Sequence, residues 1–126
     1  MLADISVLAM IAVNDIAVSK KFYGELLGLK QVNENPGSVT YQCGSSQLSV
    51  YKTTPDRAGT NKGTSAAWRT DDVEGAVAEL KAKGITFEHW DDLPGITRDG
   101  DIHSQGPFKA VWFKDPDGNI LSVETG

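Results

Sequence analysis

Cysteine is almost missing from this chain: Cys43 is the only one in 126 residues. One thiol can make neither an internal disulfide framework nor a CxxC site, and a reducing, cytoplasmic compartment is the simplest expectation. Histidine is nearly as scarce, with His89 and His103 alone, so imidazole is in short supply for a metal centre. Long hydrophobic runs are missing as well. The apolar stretch ISVLAMIAV, residues 5–13, is too short to cross a bilayer, and no basic segment precedes it. Positive charge is in deficit, with 12 Lys and Arg against 17 Asp and Glu and a formal net charge of -5. Nucleic acids and anionic membranes are bound by basic patches, so neither is an expected partner. An acidic surface favours neutral or cationic small molecules instead.

What is present is an ordinary globular composition, 40% apolar and 23% charged, in a chain long enough to bury a core without staples. The expectation is one domain over residues 1–126, built of two modules at about 1–53 and 64–126. The polar, breaker-rich TTPDRAGTNKG, residues 53–63, connects them.

The element order reads β-α-β-β-β twice. Residues 5–13 predict a strand; Asn14 or Asp15 can cap a helix whose buried side carries Ile16, Phe22, Leu26 and Leu27; Gly28 ends it. Strands follow at 29–33, 39–43 and 47–52, with CGSS as a hairpin loop. In the second half a strand at 65–70 leads to a helix capped by Asp71 or Asp72, with Glu74 placed for a capping box on Asp71. Val73, Ala76, Val77 and Leu80 give that helix one apolar face, and Gly84 ends it. Strands at 85–90, 108–114 and 119–124 complete the count, the last two joined by DPDG. NDIAVSKKFYGELLGL and DDVEGAVAELKAKGI share an acid-capped start, apolar spacing and a closing Gly, which reads as an internal repeat. The stretch DDLPGITRDGDIHSQG, residues 91–106, has no counterpart in the first half and reads as a long loop, either functional or a solvated surface connection.

Three segments in this order, VNDIAVSKKFYGELLGLK, TDDVEGAVAELKAKGI and FKDPDGNILSVE, resemble the vicinal oxygen chelate superfamily of glyoxalases, extradiol dioxygenases, fosfomycin-resistance enzymes and bleomycin-resistance proteins. The resemblance implies an α+β fold: paired βαβββ modules forming a curved mixed sheet, a cup, with helices packed outside. It also implies a homodimer. Metal-using members hold a divalent ion at four inward strand positions, which fall here on Leu8, Ser49, Ser65 and Ser122. A leucine and three hydroxyls offer no charge to a dication, so neither a metal nor another cofactor is expected.

Strand alternation sorts the remaining residues by face. Leu8, Met10, Ser49, Tyr51, Ser65, Ala67, Trp112 and Ser122 are expected to line the cup, with Trp112 and Tyr51 as an aromatic pair for a planar ligand. Tyr41 fits either face. His103, with Asp101 two residues before it, is the candidate general base at the cup's mouth. The function expected is a metal-independent small-molecule binding protein that sequesters an aromatic or cationic compound. The alternatives are a lyase, isomerase or dioxygenase-like enzyme of the same superfamily, using His103 and Asp101 or a metal site that the four positions do not reveal.

Overall fold

A computed structural model describes all of residues 1–126. The chain divides into two compact units, Met1–Thr60 with Pro116–Asn119, and Asn61–Asp115 with Ile120–Gly126. No helix is long and apolar enough to cross a membrane.

In the first unit a short 3-10 turn, Leu2–Asp4, precedes β1 (Ala9–Val13), α1 (Ile16–Ser19), β2 (Lys30–Asn35), β3 (Ser38–Cys43) and β4 (Ser46–Lys52). The strands are ordered β1-β4-β3-β2, with β1 parallel to β4 and the other pairs antiparallel. β1 starts later than the apolar run predicts. Its ladder with β4 opens at Ala9↔Leu48, so Leu8 falls just outside the strand and is 39% exposed. The cap of α1 is Asp15, whose Oδ1 accepts from the N–H groups of Ala17 at 2.8 Å and Val18 at 3.2 Å.

After one turn α1 widens into a π-helix, Lys20–Leu26. Ser19 sits at the change, and its hydroxyl bonds back to the carbonyls of Asp15 and Ile16. Such back-bonding competes with the regular helical ladder. The wider turn has more residues per revolution, so the neighbours Phe22 and Tyr23 can both point inward. They pack on the face that holds Ile11, Val13, Val39, Leu48 and Val50, and Tyr41 joins them there with its ring 6.3 Å from that of Tyr23. The opposite face of this sheet is left with Met10, Thr40 and Ser49 in one row. Pro116–Asn119 belongs to this unit through specific bonds. Asp117 Oδ1 accepts from the side chain of Asn14 at 2.7 Å, and Asn119 donates to the carbonyl of Ala12 at 2.8 Å.

The second unit repeats the plan and adds to it. β5 (Thr64–Arg69), α2 (Val73–Ala82), β6 (Phe87–Glu88), β7 (Thr97–Asp99), β8 (Ile102–Gln105), β9 (Phe108–Lys114) and β10 (Ile120–Glu124) form a sheet ordered β5-β10-β9-β8-β7, with β6 also on β9. β5 runs parallel to β10, as β1 does to β4. The addition is the β7–β8 hairpin. It lies within residues 91–106, so this stretch is not the loop expected from its polarity but sheet at its C-terminal half. β6 is correspondingly short, two residues where six were expected, because β8 takes the rest of the same edge of β9. The cap of α2 is Asp72, which accepts from Gly75 N–H at 2.9 Å. No capping box forms with Asp71, since the cap is the next residue, and Glu74 pairs with Lys109. Val73, Phe87, Val111, Phe113, Leu121 and Val123 make the core on the helix side, with Phe87 and Phe113 packed edge to face.

Both units bear out the α+β reading: each is a βαβββ-type module with a mixed sheet and one helix against it.

Candidate functional site

The face of the second sheet turned away from α2 carries the chemistry. Along it Ala67, Ser122 and Trp112 lie side by side on β5, β10 and β9. The β5–β10 ladder slips between Ile120 and Leu121, so Thr64 pairs with Ile120 and Ser65 is left without a partner across the ladder. Thr64 rather than Ser65 makes the polar contact here, its Oγ1 accepting from the indole N–H of Trp112 at 3.1 Å. Beyond β6, Trp90 donates its backbone N–H to His103 Nε2 at 2.8 Å. The His103 ring stands edge-on to Trp112, with centroids 4.9 Å apart.

The two tryptophans thus wall a cleft of about 310 Å³, with Ile120 and Leu93 as apolar lining and Asp92 and Lys62 as its charges. Two anchored aromatic walls and a few polar groups are the ordinary make-up of a small-molecule site. Trp90, Thr64 and Asp92 were not among the expected residues. A ladder slip leaves no mark in the letters, but a tryptophan at the end of an expected strand, followed by two aspartates, was a signal for an aromatic cleft with an acidic rim.

His103 is 0% exposed. A backbone N–H can only donate, so Nε2 carries no proton and the ring proton is on Nδ1. That Nδ1 and the hydroxyl of Ser122 are both buried without a hydrogen-bond partner. Burial pushes the His103 imidazole below its ordinary pKa of 6.5. His103 therefore sits inside a strand, beneath the tryptophans, and not on a loop at a cavity mouth. Nor does it meet the Asp101 side chain. The Asp101 carboxylate bonds His89 Nε2 at 2.8 Å and Lys81 Nζ at 2.9 Å, and these partners hold it below the usual carboxylate range. Close by, Arg98 is bonded to Asp91 through Nε at 2.7 Å, which lowers the Asp91 pKa likewise.

The other expected residues lie in the first unit. Met10 is 51% exposed, while Ser49 beside it is buried and its Oγ accepts from the Thr40 hydroxyl at 3.3 Å. Tyr51, opposite Ala12, is half-buried. Leu8 borders an open groove of about 570 Å³ with Gln42 and Gln47.

Residues 5–123 match the family model of the Glyoxalase/Bleomycin resistance protein/Dioxygenase superfamily. The chain belongs to this superfamily. Among solved structures it is similar to lactoylglutathione lyase from Agrobacterium tumefaciens, at 20% identity over 98% of this chain and 94% of that one, with a TM-score of 0.70. It is similar to a bleomycin-binding protein complexed with bleomycin, at 21% identity over 98% of both chains, with a TM-score of 0.68. An antibiotic binding protein from Streptomyces sp. CB03234 matches at 23% identity over 97% of both chains, with a TM-score of 0.65. These likenesses establish the fold.

The donor chemistry of this member does not suit the dication of the superfamily's metalloenzymes. Leu8 has no donor atom and the Ser49 hydroxyl is already engaged by Thr40. In the second unit Ser65 is displaced by the ladder slip and Ser122 offers one neutral hydroxyl. The acid on the Ser122 side of β10, Glu124, is drawn off to Arg69 at 3.7 Å. Nowhere do three His, Cys, Asp or Glu side chains gather in a group able to hold a metal ion.

Proposed function

We propose that this protein binds a small planar compound, aromatic and neutral or cationic, between Trp90 and Trp112, and that it does so without a metal. The cleft between the two tryptophans carries the reading. Trp112 is held by Thr64 and His103, so little side-chain freedom is lost when a ligand stacks on it. Each stacking contact contributes about 0.5–1.5 kcal/mol beyond area burial. A cation over an indole face adds up to about 2 kcal/mol when desolvated, and Asp92 supplies a counter-charge at the rim. Two proteins of similar structure, a bleomycin-binding and an antibiotic binding protein, support a small-molecule occupant.

The acid/base alternative lacks its pair. His103 is sealed from solvent with Nε2 committed, and the Asp101 carboxylate serves other partners. A homodimer is part of the proposal, supported by the exposed apolar residues Leu2, Ile5, Val7, Leu8 and Met10 of the first unit. So is a cytoplasmic setting, supported by the single cysteine, Cys43, which can form no internal disulfide.

The test is a titration of tryptophan fluorescence with bleomycin and, separately, with ethidium, alongside melting curves in added Zn²⁺, Ni²⁺ and Mn²⁺. Saturable quenching lost in Trp112→Ala by about tenfold or more, as expected when a central aromatic anchor is truncated, with no metal-induced rise in melting temperature, fits the proposal. One bound metal per chain with a large rise, or quenching indifferent to Trp112, defeats it.

A further inference from the structure

Stacking on two tryptophans leaves one feature of the second sheet unexplained: a fully buried imidazole that does not line the cleft yet touches both of its walls. His103 accepts the backbone N–H of Trp90 at 2.8 Å and packs edge-on against Trp112 at 4.9 Å. One side chain therefore sets both aromatic surfaces, one through the backbone and one through the ring.

The groups around His103 keep it neutral. On β7 its register partner is Arg98, whose guanidinium is turned to Asp91 and to the carbonyl of Gly100. Beyond β6 stands His89, bonded to Asp101. On β9 its register partner is the uncharged Ala110. Burial weighs most against the imidazolium; the positive charge of Arg98 and His89 adds to it, while the carbonyls of Asp101 and Ala110 act the other way. The neutral form is the one that serves the cleft. Once protonated, Nε2 becomes a donor facing the N–H of Trp90, and a hydrogen bond turns into two opposed donors, the one on His103 fully buried. The new charge also lies beneath the site of a cationic ligand.

We propose that His103 is a positioning residue for the cleft, and that its protonation frees Trp90 from its place opposite Trp112, so that a planar cationic aromatic is held at neutral pH and let go in acid. This rests on the cleft being the binding site.

The experiment measures ethidium affinity from about pH 8 to about 4.5, a range that spans the titration of a histidine while the probe keeps its charge. Beside it, the near-UV circular dichroism of the free protein reports the tryptophans, and NMR of the His103 ring proton reports its titration. The expected result is a loss of affinity approaching about tenfold per pH unit below the His103 midpoint. The tryptophan signal should change at that same midpoint, and both pH dependences should vanish in His103→Gln, whatever the affinity of that variant at pH 8. An affinity flat across the range overturns the proposal, as does a decline that persists in His103→Gln. If that variant does not fold, the wild-type midpoints decide, and a tryptophan transition separated from the His103 titration overturns it. Should ethidium fail to bind even at pH 8, the binding reading falls, and the tryptophan and His103 midpoints still decide whether His103 positions the two walls.

Discussion

A methyl group added at Gly59 has nowhere to go. This residue has φ +70, and an added Cβ would fall inside the carbonyl of Asp117. The left-handed backbone costs a non-glycine residue about 1–3 kcal/mol by itself. Relief of the clash would also shift Asp117, which holds the side chain and the backbone N–H of Asn14. Gly44 separates the two effects, because its φ is +56 but nothing lies within 4 Å of an added Cβ. Gly59→Ala should therefore destabilise by clearly more than Gly44→Ala, which should cost only about 1–3 kcal/mol. Urea denaturation of both variants checks this; equal losses would mean that Pro116–Asn119 yields freely. The same turn was read from the sequence as turn chemistry alone. Its anchoring role was not legible, since Asn14 and Asp117 lie 103 residues apart and nothing local marks them as partners.

At the scale of the element, the helix starts were legible because capping is local. An aspartate before an apolar periodic run is enough to place α1 and α2 within a residue or two. The cap is Asp72 and not Asp71, which puts Gly75 and not Glu74 at the capping-box position, and Glu74 pairs with Lys109 on β9. Asp72→Ala should cost about 1 kcal/mol by removing the acceptor of Gly75 N–H, and Asp71→Ala should cost little. Thermal melts of the two variants check the assignment, and a larger loss at Asp71 would refute it. The β7–β8 hairpin was missed for a different reason. Polar composition hid it, although Gly100-Asp101, the two-residue turn between the paired Asp99 and Ile102, is a hairpin signal in its own right. The miss propagated to the site. His103 was taken for a loop residue, whereas strand pairing with Ala110 buries it. Trp112 and Ser122 were placed correctly on one face because alternation is all that their position requires. Thr64 and Trp90 escaped because a ladder slip and a short strand end break that alternation.

At the scale of the whole molecule these groups impose a direction on acid stability. His103 has an unfolded-state pKa of 6.5 and a lower one when folded. Between the two values the unfolded chain binds more protons, so stability falls as pH falls. The contribution is fully present above 6.5 and is lost as pH drops through the folded value. Asp91 and Asp101 behave in the same sense at lower pH. Their folded values lie below 3.8, held there by Arg98 for the first and by His89 and Lys81 for the second, so what they contribute persists above 3.8 and is lost beneath it. Stability against urea should accordingly descend in two stages, one beginning near pH 6.5 from His103 and one below 3.8 from the carboxylates. In His103→Gln the first descent should disappear and the second remain. Curves for variant and wild type that run parallel between pH 6.5 and 3.8 would remove His103 from this account and leave acid denaturation to the carboxylates alone.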